Sequence, residues 1–421
     1  MDALKEMTAS EDFSRLDANK AKRHHYVPQL TLRGFAKEQN GAQRVFQMHT
    51  TGRKAPIRVS VRDAALRRRL YVAVDEDGRE TNRHEGYLEL IERHAAPALR
   101  RLIDDPVSLD PGDRATIAFF VAFQMMRTPA AAEQVTALAN MAFQNAASET
   151  FSDRRAFAES YRERYESDAS EEEVERFRQQ VLNSVREGKV RVAGKNGADF
   201  ASGFRHAAES VPPIIAFDWT LVRAPSGGFI VSDRGFAIHD PDPPFPWAGQ
   251  GLMSSESSET LFPLSDCVAL LIRPGAGRCR LGVTEASAEE VTRLNLRTFG
   301  WADSYVFARS QTVLDNVKVI ARRRPAEVVR PKSLCAVIGL ELDPDDPQLT
   351  DENRKRGWPA YLPGRDGSPL DYIVIPADRP HPELRRRADE LAESRARKRL
   401  GLGPDEPADG RIVHLNLPVH G

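Results

Sequence analysis

The hydrophobic pattern divides the chain into a strand-rich beginning, a helical centre and a second strand-rich segment. Short apolar stretches at 45–46, 57–61 and 70–74, separated by turn residues, predict strands. The run at 117–126 is apolar on every side, which predicts a helix in the centre of the core. The dipeptide Asp110-Pro111 is typical of the start of that helix.

The second strand-rich segment begins with alternating apolar positions at 217–222. A turn sequence and the strand 229–231 follow, which together predict a β-hairpin. Further on, 268–272 reads as a buried strand, 287–298 as a helix and 305–308 as a strand that closes the sheet. We therefore predict an α+β fold, with a mixed, mostly antiparallel sheet packed against a helical layer.

Changes in composition along the chain predict three regions. Residues 1–21 are polar and are expected to form a flexible arm, and 22–325 form the main α+β domain. Within it, about 148–210 is a charged helical insertion whose dense charges are typical of a solvated face. The last region, 326–421, is a charged C-terminal extension with one predicted helix near 382–400.

Composition narrows the class of protein further. The 421 residues carry 60 Lys and Arg against 61 Asp and Glu, so a nucleic-acid partner requires a local patch. Three scattered cysteines are too few for a disulfide framework, and we expect a reducing cytoplasm. No apolar run approaches the ~20 residues needed to span a bilayer, so we expect no membrane insertion.

Candidate chemistry rests on dispersed polar residues, because the common phosphate-loop, dinucleotide, nucleophile-elbow and zinc motifs are absent. His24 and His25 are candidate catalytic residues, as general base or metal ligand, although such a pair is also common in exposed turns. Asp233 follows a strand, where ligands often bind, and is a third candidate. It could equally cap the turn before Gly235. The sequence specifies neither a metal nor a cofactor.

Five further residues are candidates for substrate binding: Gln29, Arg33, Gln124, Arg127 and Asn295. Gln124 and Arg127 share a face of the central helix, where a guanidinium could clamp phosphate or carboxylate. Alternatively, Arg127 forms a buried ion pair with Glu85 or Glu92. Two basic runs, Lys22-Arg23 and 67–69, could form a basic patch, but such short runs in a neutral chain are weak evidence for nucleic acid.

Several of these residues lie in short motifs. The first is His25-Tyr26-Val27-Pro28-Gln29, followed by Leu32-Arg33 and Phe35. Later motifs, in chain order, are Glu92, Gln124 with Arg127-Thr128-Pro129, the strand end Phe229 to Asp233, Pro263-Leu264-Ser265, Asn295 and Tyr305-Val306. Together they resemble the bacterial family named domain of unknown function 4238, over roughly residues 22–310.

The resemblance implies context more than chemistry. The family has no established activity, and the resemblance brings a loose association of some members with bacterial defence against phage. This chain departs from the family at Arg234-Gly235, where members usually have a proline, so the turn geometry there is in question. The segments 148–210 and beyond about 325 have no counterpart in the family pattern.

Two hypotheses for function follow. In the first, the protein is an enzyme or toxin-like effector acting on a phosphate-containing substrate, a nucleotide or nucleic acid. His24 or His25 then serves as base or metal ligand, Asp233 as orienting carboxylate, and Arg127 with Gln124 as anion clamp. In the second, it is a non-catalytic sensor or binding module. The same polar residues then form a structural network, and the loop 240–260 gives specificity. Neither hypothesis predicts an oligomeric state.

Overall fold

The computed structural model describes the greater part of residues 21–328 and three short strands beyond them. The described ranges are 21–74, 77–133, 135–136, 147, 151, 154–165, 168–186, 198–241, 257–275, 279–328, 336–339, 360–362 and 372–375. Three predictions lie outside the described residues, namely the N-terminal arm, most of the loop 240–260 and the helix near 382–400. The chain divides into two compact units. The first unit consists of residues 1–135, 194–243 and 250–331, and the second unit consists of the remaining residues.

Eight α-helices have bounds within the described ranges: α1 Gln29–Arg33, α2 Arg83–Asp104, α3 Pro111–Met126, α4 Arg154–Tyr165, α5 Glu171–Arg186, α6 Ala198–Ala216, α7 Ala288–Trp301 and α8 Gln311–Arg323. The strands of the first unit are β1 Arg23–His25, β2 Lys37–Gln39, β3 Ala42–His49, β4 Ile57–Ser60, β5 Leu66–Arg68, β6 Ala73–Val74, β7 Glu80–Thr81, β8 Asp218–Arg223, β9 Val231–Ser232, β10 Ala237–His239, β11 Glu259–Pro263, β12 Val268–Arg273, β13 Leu281–Glu285 and β14 Tyr305–Ala308. The second unit contains β15 Ala336–Gly339, β16 Ala360–Leu362 and β17 Tyr372–Ile375.

Two five-stranded sheets form the framework of the first unit. One has the order β10-β11-β12-β8-β13, and the other has β2-β3-β14-β9 with β4 paired to β3. Two ribbons, β1-β5 and β6-β7, complete this unit, and β15-β17-β16 form a small sheet in the second. Every described pair is antiparallel except β13 with β8. The predicted α+β, mostly antiparallel fold is therefore confirmed.

The central helix α3 forms as predicted. Asp110 is its N-cap, and its carboxylate accepts a hydrogen bond from the Asp113 backbone N–H at 2.7 Å, while Pro111 occupies the first turn. The following residues are buried on all sides of the helix, which packs against α2 and α6. Because α3 lies in the core, the polar side chains of Gln124 and Arg127 at its end are also buried and need partners.

Three local predictions were wrong or only partly right. The segments 217–222 and 229–231 do not form a hairpin, because β8 pairs with β12 and β13 while β9 pairs with β14 in the other sheet. Of the predicted strand 70–74, only the last two residues form a strand, β6, and the separate strand β5 lies before it in the chain. Strand β14 does not close its sheet but lies between β3 and β9.

Two charged helices of the second unit, α4 and α5, occupy the predicted insertion. Ser170 and Glu173 form the reciprocal hydrogen bonds of a capping box at the start of α5. One charge of this segment is not solvated: Arg178 is fully buried and donates to Glu175 at 2.7 Å and to the Phe151 carbonyl at 2.5 Å. The hydrogen bond to Arg178, the largest cause, lowers the pKa of Glu175 to about 2. The ion pair therefore fastens α5 internally.

Candidate functional site

The first family motif begins on a two-stranded ribbon. Strands β1 and β5 are antiparallel, with Arg23 opposite Arg68, His24 opposite Arg67 and His25 opposite Leu66. Backbone hydrogen bonds continue this pairing at both ends, from the N–H of residue 69 to the carbonyl of 22 and from that of 26 to 65. We call residues 22–26 and 65–69 the basic ribbon.

His24 is fully buried within the basic ribbon. Its Nδ1 accepts a hydrogen bond from the Tyr71 backbone N–H at 2.9 Å, so the proton is on Nε2, which donates to the Ala21 carbonyl at 2.9 Å. The ring also stacks on the Tyr71 ring, with centroids 5.3 Å apart. Burial lowers the pKa of His24. Both ring nitrogens of the neutral imidazole are thus engaged by backbone.

His25 differs from His24 because its ring is only partly buried. Its Nε2 lies 3.2 Å from the Arg62 carbonyl oxygen, so this nitrogen carries the proton and donates it. The Nδ1 lone pair has no hydrogen-bond partner among the described residues. Burial, the largest cause, lowers the pKa of His25, and nearby Arg127 and Arg23 also lower it. His25 therefore presents a neutral imidazole with one available acceptor nitrogen.

Arg127 is 3% exposed and makes the ion pair that was one of its two predicted alternatives. One terminal nitrogen donates to Glu92 Oε1 at 2.6 Å, and the other donates to the His25 carbonyl at 2.6 Å. Its Nε lies 3.4 Å from the hydroxyl of Tyr71, and that hydroxyl donates to the Arg127 carbonyl at 2.6 Å. Burial opposes the charge, but Glu92 and Tyr71 raise the pKa of Arg127 above its usual value. The guanidinium is thus occupied internally.

Gln124 holds the next carbonyl of the motif. Its Nε2 donates to the Tyr26 carbonyl at 3.1 Å and to the Arg234 carbonyl at 2.9 Å, while its Oε1 is buried without a hydrogen-bond partner among the described residues. A Cβ at Gly235, whose φ is +80°, would lie 2.8 Å from that Nε2. The absence of a side chain at 235 therefore lets Gln124 join the histidine motif to the turn after β9.

Asp233 is buried and accepts three backbone hydrogen bonds at the start of β14. One oxygen accepts from the Asp303 N–H at 2.8 Å, and the other accepts from Ser304 and Tyr305 at 2.7 and 2.8 Å. Burial and the nearby Asp303 carboxylate raise the pKa of Asp233 to about 6, against the lowering effect of the three hydrogen bonds. Arg234 donates to the same Asp303 at 2.5 Å. Asp233 thus fixes the loop between α7 and β14.

The other predicted binding residues lie apart from this network. Asn295 on α7 accepts from the Ile230 N–H at 3.1 Å and donates to the Gly228 carbonyl at 2.7 Å, which fastens the helix to the segment before β9. Gln29 and Arg33 lie one turn apart on α1, with 3.4 Å between the Arg33 guanidinium and the Gln29 amide oxygen. Both lie at or near the surface.

The structure brings the two basic runs, which the sequence offered as a basic patch, next to the candidate residue His25. Arg23 and Arg68 lie opposite each other, and His25 and Leu66 form the pair two positions further along the ribbon. Because side chains two residues apart on a strand point to the same face, Arg23 and Arg68 share a face with His25. Arg62 supplies the carbonyl that fixes the His25 ring. The two basic runs were visible in the sequence, but their pairing across about forty residues carries no local signal.

Glu85 is a second addition. It lies in the first turn of α2 and one carboxylate oxygen, Oε2, is buried without a hydrogen-bond partner in the described part of the chain. Burial, aided by Glu92 and opposed by Arg127, raises the pKa of Glu85 to about 7. Within the described ranges, no three His, Cys, Asp or Glu residues are grouped to hold a metal ion. Nor is any described helix both long and apolar enough to cross a bilayer.

These contacts define a class of α+β protein. In it, two side chains at the end of the central helix, Gln124 and Arg127, donate hydrogen bonds to successive backbone carbonyls of a His-Tyr-Val-Pro-Gln segment. The model of the family described as "Protein of unknown function (DUF4238)" matches residues 23–312, and the chain belongs to this family. No curated protein and no solved structure matched the chain.

Proposed function

We propose that the protein acts on a phosphate-containing substrate, a nucleotide or nucleic acid, at the face of the basic ribbon that carries His25. The observation that carries the proposal is the free Nδ1 of His25 on the same strand face as Arg23 and Arg68. Guanidinium groups suit phosphate oxygens because their donors form a planar fork. A neutral imidazole beside a bound phosphate is placed to move a proton.

The chemistry that this site supports is phosphate-ester hydrolysis. His25 Nδ1 takes a proton from a water molecule while the water oxygen forms a bond to phosphorus. The bond from phosphorus to the leaving oxygen then breaks, and the imidazolium returns the proton to that oxygen. Arg23 and Arg68 balance the charge that develops on the phosphate. The low pKa of His25 keeps the ring in its basic form near neutral pH.

In this proposal five of the other predicted site residues are positioning residues. Arg127 and Gln124 hold the carbonyls of His25 and Tyr26, so they set the course of the strand that carries the imidazole. His24 anchors the same strand through Tyr71. Asp233 and Asn295 would fix the loops around β9 and β14. Gln29 and Arg33 remain candidates for substrate binding because both are at or near the surface.

A second candidate function is a non-catalytic sensor or binding module. It is favoured by the internal pairing of Arg127 with Glu92 and of Asp233 with three backbone N–H groups, which are contacts of a structural network. In that case the basic ribbon binds a phosphate-containing ligand without transforming it. Both candidate functions include the proposals that the protein is located in the bacterial cytoplasm and that it takes part in defence against phage.

A comparison of two histidine variants separates the candidates. His25→Asn removes the basic nitrogen, and His206→Asn is the matched control because His206 is an exposed residue of α6. Purified proteins are incubated with nucleoside triphosphates and with end-labelled nucleic acid, and released phosphate and cleaved strands are measured. Phage protection in cells expressing each variant is a parallel readout.

We expect turnover by the wild type and the control, and a loss of at least about a hundredfold in His25→Asn. Wild-type binding without turnover supports the sensor. Equal turnover by folded His25→Asn and wild type rejects the catalytic role.

A further inference from the structure

We infer that the ligand of the basic ribbon is a nucleic-acid duplex, held by its phosphate backbone. The inference rests on the proposed function in placing phosphate at this ribbon, but it holds for an enzyme and for a binding module alike. It follows from the number, spacing and pairing of the ribbon's cations.

The basic ribbon carries a local excess of positive charge. Six exposed cations lie on or beside the ribbon: Lys22, Arg23, Arg62, Arg67, Arg68 and Arg69. Among the described residues, two carboxylates form ion pairs with these cations, since Arg23 pairs with Asp63 at 2.5 Å and Arg69 pairs with Glu80. Six cations less two carboxylates leave an excess of four in a chain whose net charge is -1. The neutral total thus conceals a strongly basic surface.

Like charges lie opposite each other across the two strands. Arg23 lies directly opposite Arg68 on the His25 face, and the backbone hydrogen bond between residues 69 and 22 places Arg69 opposite Lys22 on the other face. Like charges at opposite positions destabilise a sheet. Each pair has one member with a carboxylate, but Arg68 and Lys22 make no ion pair with any described residue. A polyanion that bridges both strands on the His25 face would relieve the repulsion between Arg23 and Arg68.

The backbone conformation favours a fixed surface. Ala65 and Arg69, which flank β5, have positive φ values of 47° and 58°. Side-chain-bearing residues rarely adopt this conformation, and it is retained where the surrounding structure or a function requires it. The chain bends or turns at both residues, so Arg67 and Arg68 lie on a three-residue strand that is bounded at each end.

The dimensions of the ribbon favour a polymer over a mononucleotide. Five residue pairs at about 3.3 Å each extend over roughly 15 Å. A duplex presents one negative charge about every 1.7 Å along its axis, which lets Arg23 and Arg68 each meet a phosphate. Proteins that hold single strands add exposed aromatic rings on which bases stack. The basic ribbon has one aromatic residue, Tyr26, and that side chain is mostly buried, so the ribbon suits a backbone that faces outward.

The test uses a variant that removes the two arginines on the His25 face of the ribbon, Arg23→Ala with Arg68→Ala. Its matched control is Arg322→Ala with Arg323→Ala, which removes two exposed arginines in the last turn of α8. Binding of a fluorescein-labelled DNA duplex by the full chain is followed by fluorescence anisotropy between about 50 and 200 mM salt. Circular dichroism confirms that both variants are folded.

We expect the ribbon variant to bind the duplex at least about tenfold more weakly than the control at low salt. The slope of log affinity against log salt should fall by about 1.8, because each phosphate contact contributes about 0.9. Equal binding by the two variants overturns the inference. Tighter binding of a single strand, a nucleoside triphosphate or phosphatidylserine vesicles also overturns it.

Failure of the duplex inference and failure of the proposed catalytic function can be told apart. If His25→Asn binds duplex normally but wild type and variant show equal turnover, the duplex surface stands and the catalytic role fails. If the wild type hydrolyses nucleotides through His25 without binding duplex, the catalytic role stands and the duplex inference fails.

Discussion

Breaking the buried ion pair between Arg127 and Glu92 should strongly destabilise the protein, and Arg127→Met is the most direct perturbation. Methionine fills much of the same apolar volume but removes the guanidinium. The substitution deprives Glu92 and the His25 carbonyl of hydrogen bonds that are each 2.6 Å long. It also removes the contact with the Tyr71 hydroxyl.

The size of the effect follows from these contacts. A hydrogen bond to a charged group contributes about 1.5–3 kcal/mol, and removal of one partner of a buried ion pair costs about 3–5 kcal/mol. Arg127 is 3% exposed, so no water replaces it easily, whereas the Glu92 side chain is 26% exposed and can be partly rehydrated. We therefore expect Arg127→Met to reduce the free energy of unfolding by about 3–4 kcal/mol.

A double-mutant cycle isolates the pair. Glu92→Leu alone should cost less than Arg127→Met, because it removes the more exposed partner. The double variant should be more stable than the sum of the single losses predicts, by about 1–3 kcal/mol, since no charge is then left unpaired.

Urea unfolding followed by circular dichroism gives each free energy, with Arg322→Met as the exposed control. The control should stay within about 0.5 kcal/mol of the wild type. If Arg127→Met behaves like the control, or if the single losses simply add, the pair does not hold the histidine motif as described.

Two other predictions concern buried groups nearby. Glu85, with its pKa raised to about 7, binds a proton more tightly in the folded than in the unfolded protein. The stabilisation by protonated Glu85 is therefore complete below about pH 4.5 and is lost as the pH rises through 7. Over this range the free energy of unfolding of the wild type, measured relative to Glu85→Gln in thermal or urea unfolding, should fall by about 2–3 kcal/mol. Gly235→Ala should cost at least about 2 kcal/mol, because alanine is strained at φ +80° and its Cβ would contact Gln124, and an unchanged midpoint would show that the turn relaxes freely.

The sequence predicted correctly those helices and strands that are determined by interactions between residues close together in the chain. The cap at Asp110 and the all-apolar face pattern suffice for α3, because helical hydrogen bonds and capping are formed within a few residues. The burial of Gln124 and Arg127 followed from that helix. Glu92 was one of two partners proposed for Arg127, and the structure selects it.

Pairing between distant strands could not be predicted in the same way. The turn before Phe229 resembles a hairpin, but β8 finds its neighbours about fifty residues later in β12 and β13. The basic ribbon has the same origin, since residues 22–26 meet 65–69 only through tertiary structure. The two histidines look equivalent in sequence, and only the strand alternation that buries one and leaves the other partly exposed distinguishes them.

The central claim is that His25 is the working group of a phosphate site on the basic ribbon. The most direct test is the pH dependence of kcat/KM for phosphate release by the wild type and by His25→Asn. For the wild type, the account predicts a rate that rises with pH through a pKa below about 6.5, because burial lowers the pKa of His25 and the neutral ring is the active form. The rise should vanish in His25→Asn together with most of the activity. The same profile and rate in both proteins would contradict the claim.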